Sequence, residues 1–222
     1  MVQRFPGLEV RPFEGFELVV SGVLSFVASY QSCDEIEDAY EIEIRIPRLF
    51  PRFVPRVFST DKRIPRKFHH LEDRSFCLGS PLALQLKAIE CGQILPFVEE
   101  SVVPYLYSYS HFEKYGTMPF GELDHGNKAV LESYMSIFQV ETLEAAEELV
   151  FLASLMRSKS NGKPCPCGSG DRVGKCHHKI LNRLRKEVGG RLWFRTEYER
   201  LTNKRYKRRK DHLVGPVRRR QT

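Results

Sequence analysis

The sequence predicts an α+β fold: an antiparallel sheet in the N-terminal half, helices after it, then a small cysteine-rich module ending in a basic helical tail. Three observations carry that prediction. Apolar residues fall at every second position between Phe16 and Ile46, they move to helical spacing from Ile94 onward, and the charge reverses near residue 157, shortly before three closely spaced cysteines. Period two is the signature of a strand with one buried face, and spacing of three to four that of a helix.

The first alternation places Phe16, Leu18, Val20, Leu24, Phe26, Ala28 and Tyr30 on one face, with Glu17, Ser21, Ser25 and Ser29 on the other. After an acidic turn at Asp34 to Asp38, Tyr40, Ile42, Ile44 and Ile46 alternate with Glu41, Glu43 and Arg45 until Pro47. The two runs predict an antiparallel hairpin with one solvated face. Pro47, Pro51, Pro55 and Pro65 punctuate the next segment, so the stretch with Val54, Val57 and Phe58 holds at most a short edge strand. Residues Phe68 to Pro81 are expected to form a loop that gathers two histidines, a cysteine and an arginine, and loops on a rigid sheet are where chemistry usually sits.

Phe97, Val102, Val103, Leu106 and Tyr107 open the helical part, with Pro104 starting or bending a helix. Residues 118–127 are loop-like, Leu131 to Phe138 a short helix, and Leu143 to Met156 a stronger one with acids early and bases late. The polar run Ser158 to Lys163 marks the expected boundary between residues 1–157 and residues 158–222. Beyond it, Ile180, Leu181, Leu184 and Val188 form one apolar helix stripe, Gly189-Gly190 interrupts, and Leu192, Trp193, Phe194, Tyr198 and Leu201 form another.

The 222 residues carry a net charge of +7, but the distribution is uneven: 14 basic and 23 acidic residues up to Met156, then 21 basic and 5 acidic. A hydrophobic content of 41% with 15 Phe and 9 Tyr excludes disorder throughout. The longest uncharged apolar stretch, Leu18 to Cys33, is too short and too rich in serine to span a bilayer, and Pro6 and Glu9 interrupt any secretory signal. Neither a membrane span nor export is expected. Six cysteines, three clustered and three dispersed, fit a reducing cytoplasm better than a disulfide framework.

The segment from Cys165 reads CPCGSGDRVGKCHH. Cys165, Cys167, Cys176 and His177 give four soft or borderline donors in a short span, and interleaved glycines let the backbone wrap an ion, a set that suits tetrahedral Zn²⁺. Adjacent His178 leaves the fourth ligand open between two histidines. With four protein ligands the ion is expected to be structural, leaving no position for water. The segment resembles the SEC-C zinc-binding motif, familiar from the C-terminus of a bacterial protein-export ATPase.

Upstream, Tyr40-Glu-Ile-Glu-Ile-Arg-Ile-Pro47, Phe50-Pro51, Pro55-Arg-Val57, His69, Asp73 and Cys77-Leu78 succeed one another in an order that resembles the ubiquitin-conjugating enzymes, particularly bacterial relatives of CBASS and other antiphage operons. Gly116-Thr-Met-Pro119, Gly121-Glu122 and His125-Gly126 extend the likeness, which covers about residues 14–138. The resemblance implies a ubiquitin-conjugating-like antiparallel sheet with C-terminal helices. It implies that Cys77 accepts the C-terminal carboxylate of a ubiquitin-like or other modifier as a thioester and passes it to an amine, a chemistry suited to a thiolate nucleophile. His69 then stands where the family's histidine shapes the loop, and His125 is a candidate base or orienter. Two positions depart from the pattern: Leu71 replaces the usual oxyanion-stabilising Asn, and Arg74 replaces a Gly. The chain shows no P-loop signature, so either a separate ubiquitin-activating-like enzyme is an expected partner or the modifier arrives already activated.

Lys204 to Lys210 and Arg218 to Arg220 supply nine positive charges around Tyr206, a pattern that suits nucleic acid or an acidic protein surface. A second functional expectation is therefore a non-catalytic adaptor, binding one protein through the conjugating-like fold and a polyanion through the zinc module and tail.

Overall fold

The structure is a computed structural model and describes residues 1–30, 33–119 and 126–203. It is an α+β protein whose sheet is a four-stranded antiparallel meander: β1 (Leu8–Glu14), β2 (Glu17–Ala28), β3 (Ile36–Pro47) and β4 (Arg56–Ser59), in that spatial order. The predicted hairpin is β2 and β3, in a register that sets Leu18 opposite Ile46, Val20 opposite Ile44 and Leu24 opposite Tyr40. Because the side-chain period is two, this register puts Leu18, Val20, Leu24, Phe26 and Ala28 on one face with Tyr40, Ile42, Ile44 and Ile46. Phe16, expected with them, precedes β2 and is 81% exposed. The expected short edge strand is β4, paired with β3 from Ile42↔Ser59 to Arg45↔Arg56.

Strand β1 lies outside the expected elements. Its sequence places Pro12 among alternating charged residues, and the ladder to β2 shifts register between Arg11 and Glu14, so proline is tolerated because the strand is an edge. Its start is held by a close backbone approach. Val23 N–H donates to the Gly7 carbonyl at 2.9 Å, and Gly22, at φ 135°, would set a Cβ 2.2 Å from that same oxygen. No side chain fits there.

One sheet face is covered by the chain after the Cys77 loop: α1 (Pro81–Cys91), α2 (Ile94–Phe97), a π-helical turn (Val98–Val102) and α3 (Val103–Tyr115). Phe5, Leu24, Ile42, Ile44, Val57, Val102, Leu106 and Tyr107, each at most 1% exposed, form its core. Pro104 falls where the helix passes from π to α hydrogen bonding, as the proline signal required. Helix α1 is a further addition: its buried stripe is Leu82, Gln85 and Ala88, and the polar middle member, whose amide donates to the Pro51 carbonyl at 2.9 Å, hides the periodicity.

The remaining helices build a second core. They are α4 (Asn127–Phe138), α5 (Leu143–Ser154), α6 (Arg157–Asn161), α7 (His178–Glu187) and α8 (Arg191–Thr202). Tyr134, Phe138, Leu149, Val150, Val173, Leu181, Leu184 and Phe194 are fully buried together, joined by Leu82 of α1 and by Cys165. The charge reversal at residue 157 therefore falls within the elements of this core, and the polar run Ser158 to Lys163 expected to mark a boundary overlaps α6. Arg185 shows why it is ordered: its guanidinium donates to the Leu152, Ala153 and Leu155 carbonyls at the end of α5 and to Ser160 Oγ of α6. That satisfies carbonyls a helix end leaves without partners.

Tyr134 ties α1 to α8 within this second core. Its hydroxyl accepts the Leu82 N–H at 3.1 Å and donates to Glu197 Oε1 at 2.5 Å, while Arg200 grips the same carboxylate at 2.7 and 2.9 Å.

Candidate functional site

Cys77 lies half-buried on the loop between β4 and α1. Sequence dictates the loop's shape. Asp73 accepts from the Ser75 N–H at 3.0 Å and the Ser75 hydroxyl at 2.6 Å, a local bond that favours a turn over regular structure. Around that turn the chain doubles back as a small hairpin: Leu71 N–H donates to Ser75 O at 2.8 Å, Cys77 N–H donates to His69 O at 2.7 Å, and His70 bridges Phe76. Phe76 N–H donates to Val57 O at 2.8 Å, which fastens the hairpin to β4.

From below, Tyr105 of α3 holds the loop. Its hydroxyl donates to the Phe68 carbonyl at 3.0 Å and approaches that of His69 at 3.3 Å, and its ring stacks on Phe76 at 4.4 Å between centroids. Burial pushes the Tyr105 phenol up and the His70 imidazole down, so both are neutral at pH 7. Arg74 has φ 72° and His69 φ 41°, backbone that L residues seldom adopt. The Arg74 value accounts for a glycine being the ordinary occupant of such a turn. Leu71 is 52% exposed and has no side-chain donor.

Two clefts meet at Cys77, His69, Leu78 and Gly79. The smaller, about 230 Å³, is otherwise bounded by Phe68, Glu100, Ser101, Pro104, Tyr105, Ser108 and Met118. The larger, about 550 Å³, runs past Arg56, His70 and Leu71 to the first turns of α1 and α4 and is closed by Trp193 and Arg200 of α8. Sequence reasoning missed Tyr105, Trp193 and Arg200: each reads as one more member of a helix, and only the fold brings it to the loop. Cys77 and His69 are together as expected, while His125 and residues 204–222 lie outside the described residues.

The cysteine cluster is a second site. The donor atoms of Cys165, Cys167, Cys176 and His177 all lie within 4.8 Å of one another, an arrangement that can hold a metal ion. His177 Nδ1 is 3.1 Å from both Cys165 Sγ and Cys176 Sγ, and Cys167 Sγ is 3.3 Å from Cys165 Sγ and 3.5 Å from Cys176 Sγ. Gly168 and Gly170, both at positive φ, make the turn between the pairs, and the Cys165 N–H closes it on Asp171 O at 2.8 Å.

The other ring nitrogen decides the tautomer. His177 Nε2 lies 3.1 Å from the Phe138 carbonyl at the end of α4, which can only accept, so Nε2 carries the proton and Nδ1 turns a lone pair toward the sulfurs. His178 is outside the cluster, at the first residue of α7. Hydrogen bonds from Ser169 lower the Cys167 thiol, whereas burial raises that of Cys165.

No protein-family model, curated protein or solved structure matches the chain. Among the described residues no helix is long and apolar enough to cross a membrane.

Proposed function

We propose that the chain is a bacterial ubiquitin-conjugating-like transferase of an antiphage or related conjugation system, with Cys77 as its acyl carrier and a structural Zn²⁺ in the C-terminal module. The position of Cys77 carries the reading: a half-buried thiol where two clefts meet, on a loop fastened to the sheet and to α3. The order of sequence elements around it, resembling that family, supports the same conclusion.

The Cys77 thiolate attacks the activated carbonyl at the C-terminus of a modifier. A carbon–sulfur bond to Cys77 forms as the bond to the activating enzyme's thiol or to AMP breaks, and that group departs with the electron pair. An amine then attacks the thioester, a carbon–nitrogen bond forms, the Cys77 thiolate leaves, and the ammonium proton passes to base or solvent. His69 shapes the loop through its carbonyl, and His125 is proposed to orient or accept a proton. Zn²⁺, held by Cys165, Cys167, Cys176 and His177, contributes folding free energy and no chemical step.

Incubation with the modifier and activating enzyme encoded nearby, followed by non-reducing electrophoresis, tests this. A thiol-sensitive adduct absent from Cys77→Ala is expected. Absence of adduct with an activating enzyme that charges its own cysteine would overturn the reading in favour of an adaptor. That second reading draws on Leu71, which cannot donate to an oxyanion, a loss of about 10²–10³ in rate when nothing replaces it.

A further inference from the structure

The larger cleft at Cys77 is bounded from both cores. Val54, Arg56 and the 69–79 loop form one side; Asn127 and Val130 of α4 and Trp193 and Arg200 of α8 form the other. Its volume, about 550 Å³, is that of a site for a few residues of extended chain or a small molecule. Among the described residues its charged lining is one-signed: the guanidiniums of Arg56 and Arg200, with no Asp or Glu. The carboxylates that balance the arginines lie outside the lining. Glu17 and Asp73 pair with Arg56, and Glu197, its side chain 5% exposed, sits behind Arg200, which is 43% exposed. The bidentate grip on Glu197 fixes the guanidinium plane, so little side-chain freedom is left to lose on binding. The smaller cleft carries Glu100 and no arginine.

We propose that the larger cleft seats the acyl donor as an extended, anionic peptide tail, with its terminal carbonyl at Cys77, Arg200 facing its carboxylates and Trp193 packed along it. This rests on the thioester reading and adds the side of approach and the charge of the donor. Helix α8 of the metal-binding core is then a specificity element of the thiol site. Electrostatics disfavour the chain's own basic 204–220 segment as the occupant.

The test uses the zinc-loaded full chain and two alkylating probes of similar size, iodoacetate and neutral iodoacetamide, with modification of the Cys77 and Cys33 peptides read by mass spectrometry. At low salt the iodoacetate-to-iodoacetamide rate ratio at Cys77 should exceed that at Cys33 several-fold. It should fall to the Cys33 value in Arg200→Gln and persist in Arg200→Lys, with the iodoacetamide rate unchanged in both as evidence of folding. Equal ratios at the two cysteines, or a ratio indifferent to Arg200→Gln, overturn the proposal. Conjugation separates the two claims: Trp193→Ala and Arg200→Gln should raise the KM for charged modifier at least several-fold. Normal adduct formation in both overturns the cleft assignment and leaves the thioester reading standing, whereas failure of the wild type to form adduct overturns that reading.

Discussion

The Nε2 of His177 lies 3.1 Å from the carbonyl of Phe138, the last residue of α4, and this bond sets the ring tautomer and helps tie the cysteine cluster to the helical core. A partner of this kind, held on the ligand's far nitrogen, orients the ring toward the metal and typically matters by about 10–100-fold in affinity.

Metal content should track this arrangement. Metal analysis should return one Zn²⁺ per chain in wild type and in His178→Ala, and none in Cys165→Ser/Cys167→Ser. His177→Ala should bind far more weakly. A metal-free wild type with titratable thiols throughout this module would contradict the assignment.

Tyr134 satisfies a buried N–H and a buried carboxylate with one hydroxyl. Tyr134→Phe leaves the Leu82 N–H without that acceptor and Glu197 with Arg200 alone, a change expected to cost about 2–3 kcal/mol. Urea unfolding should show the midpoint falling with unchanged slope.

Acid should act on the sheet core through Asp38. Burial pushes this carboxyl up, but hydrogen bonds from Arg63 and Ser110 and the Ala39 N–H outweigh it and hold it down at about 2. Arg63 donates to both carboxylate oxygens, at 2.7 and 2.8 Å, with its guanidinium over the Tyr40 ring at 4.3 Å. A carboxyl depressed on folding adds stability above its unfolded value, near 4, and loses it as pH falls toward its folded value. Stability of the wild type should therefore drop between about pH 4 and 2 more steeply than that of Asp38→Asn, measured by denaturant unfolding at each pH.

Arg74 holds a left-handed conformation at the turn before Cys77. Arg74→Gly should relieve it and raise stability by up to about 1 kcal/mol. Thermal unfolding with an unchanged or lowered midpoint would show that the arginine side chain returns more than the backbone costs.

What could be read from the sequence was whatever repeats at short range. Strict alternation yielded β2 and β3, proline density limited β4 to an edge, and the Cys-x-Cys and Cys-His pairs with glycines between them marked the four donors. Elements whose buried stripe is broken were lost. Gln85 masks α1, Pro12 masks β1, and the polar run after Arg157 conceals α6, ordered by Arg185 from a later helix. The cleft's far wall was equally hidden, because Trp193 and Arg200 come to it only through the packing of α8 on α5 and its hydrogen bonds to Asn127 and Tyr134 of α4, on which sequence spacing is silent.

Helix α8 has two loyalties. Phe194 and Leu201 lie in the core that contains Cys165, while Trp193 and Arg200 close the cleft at Cys77. A chelator that silences this thiol would therefore imitate the inhibition of a metalloenzyme with no ion near the reacting atoms. On the proposed reading, inhibition by chelation is thus no sign of a catalytic metal, and metal supply is expected to bear on the geometry of the thiol site through α8.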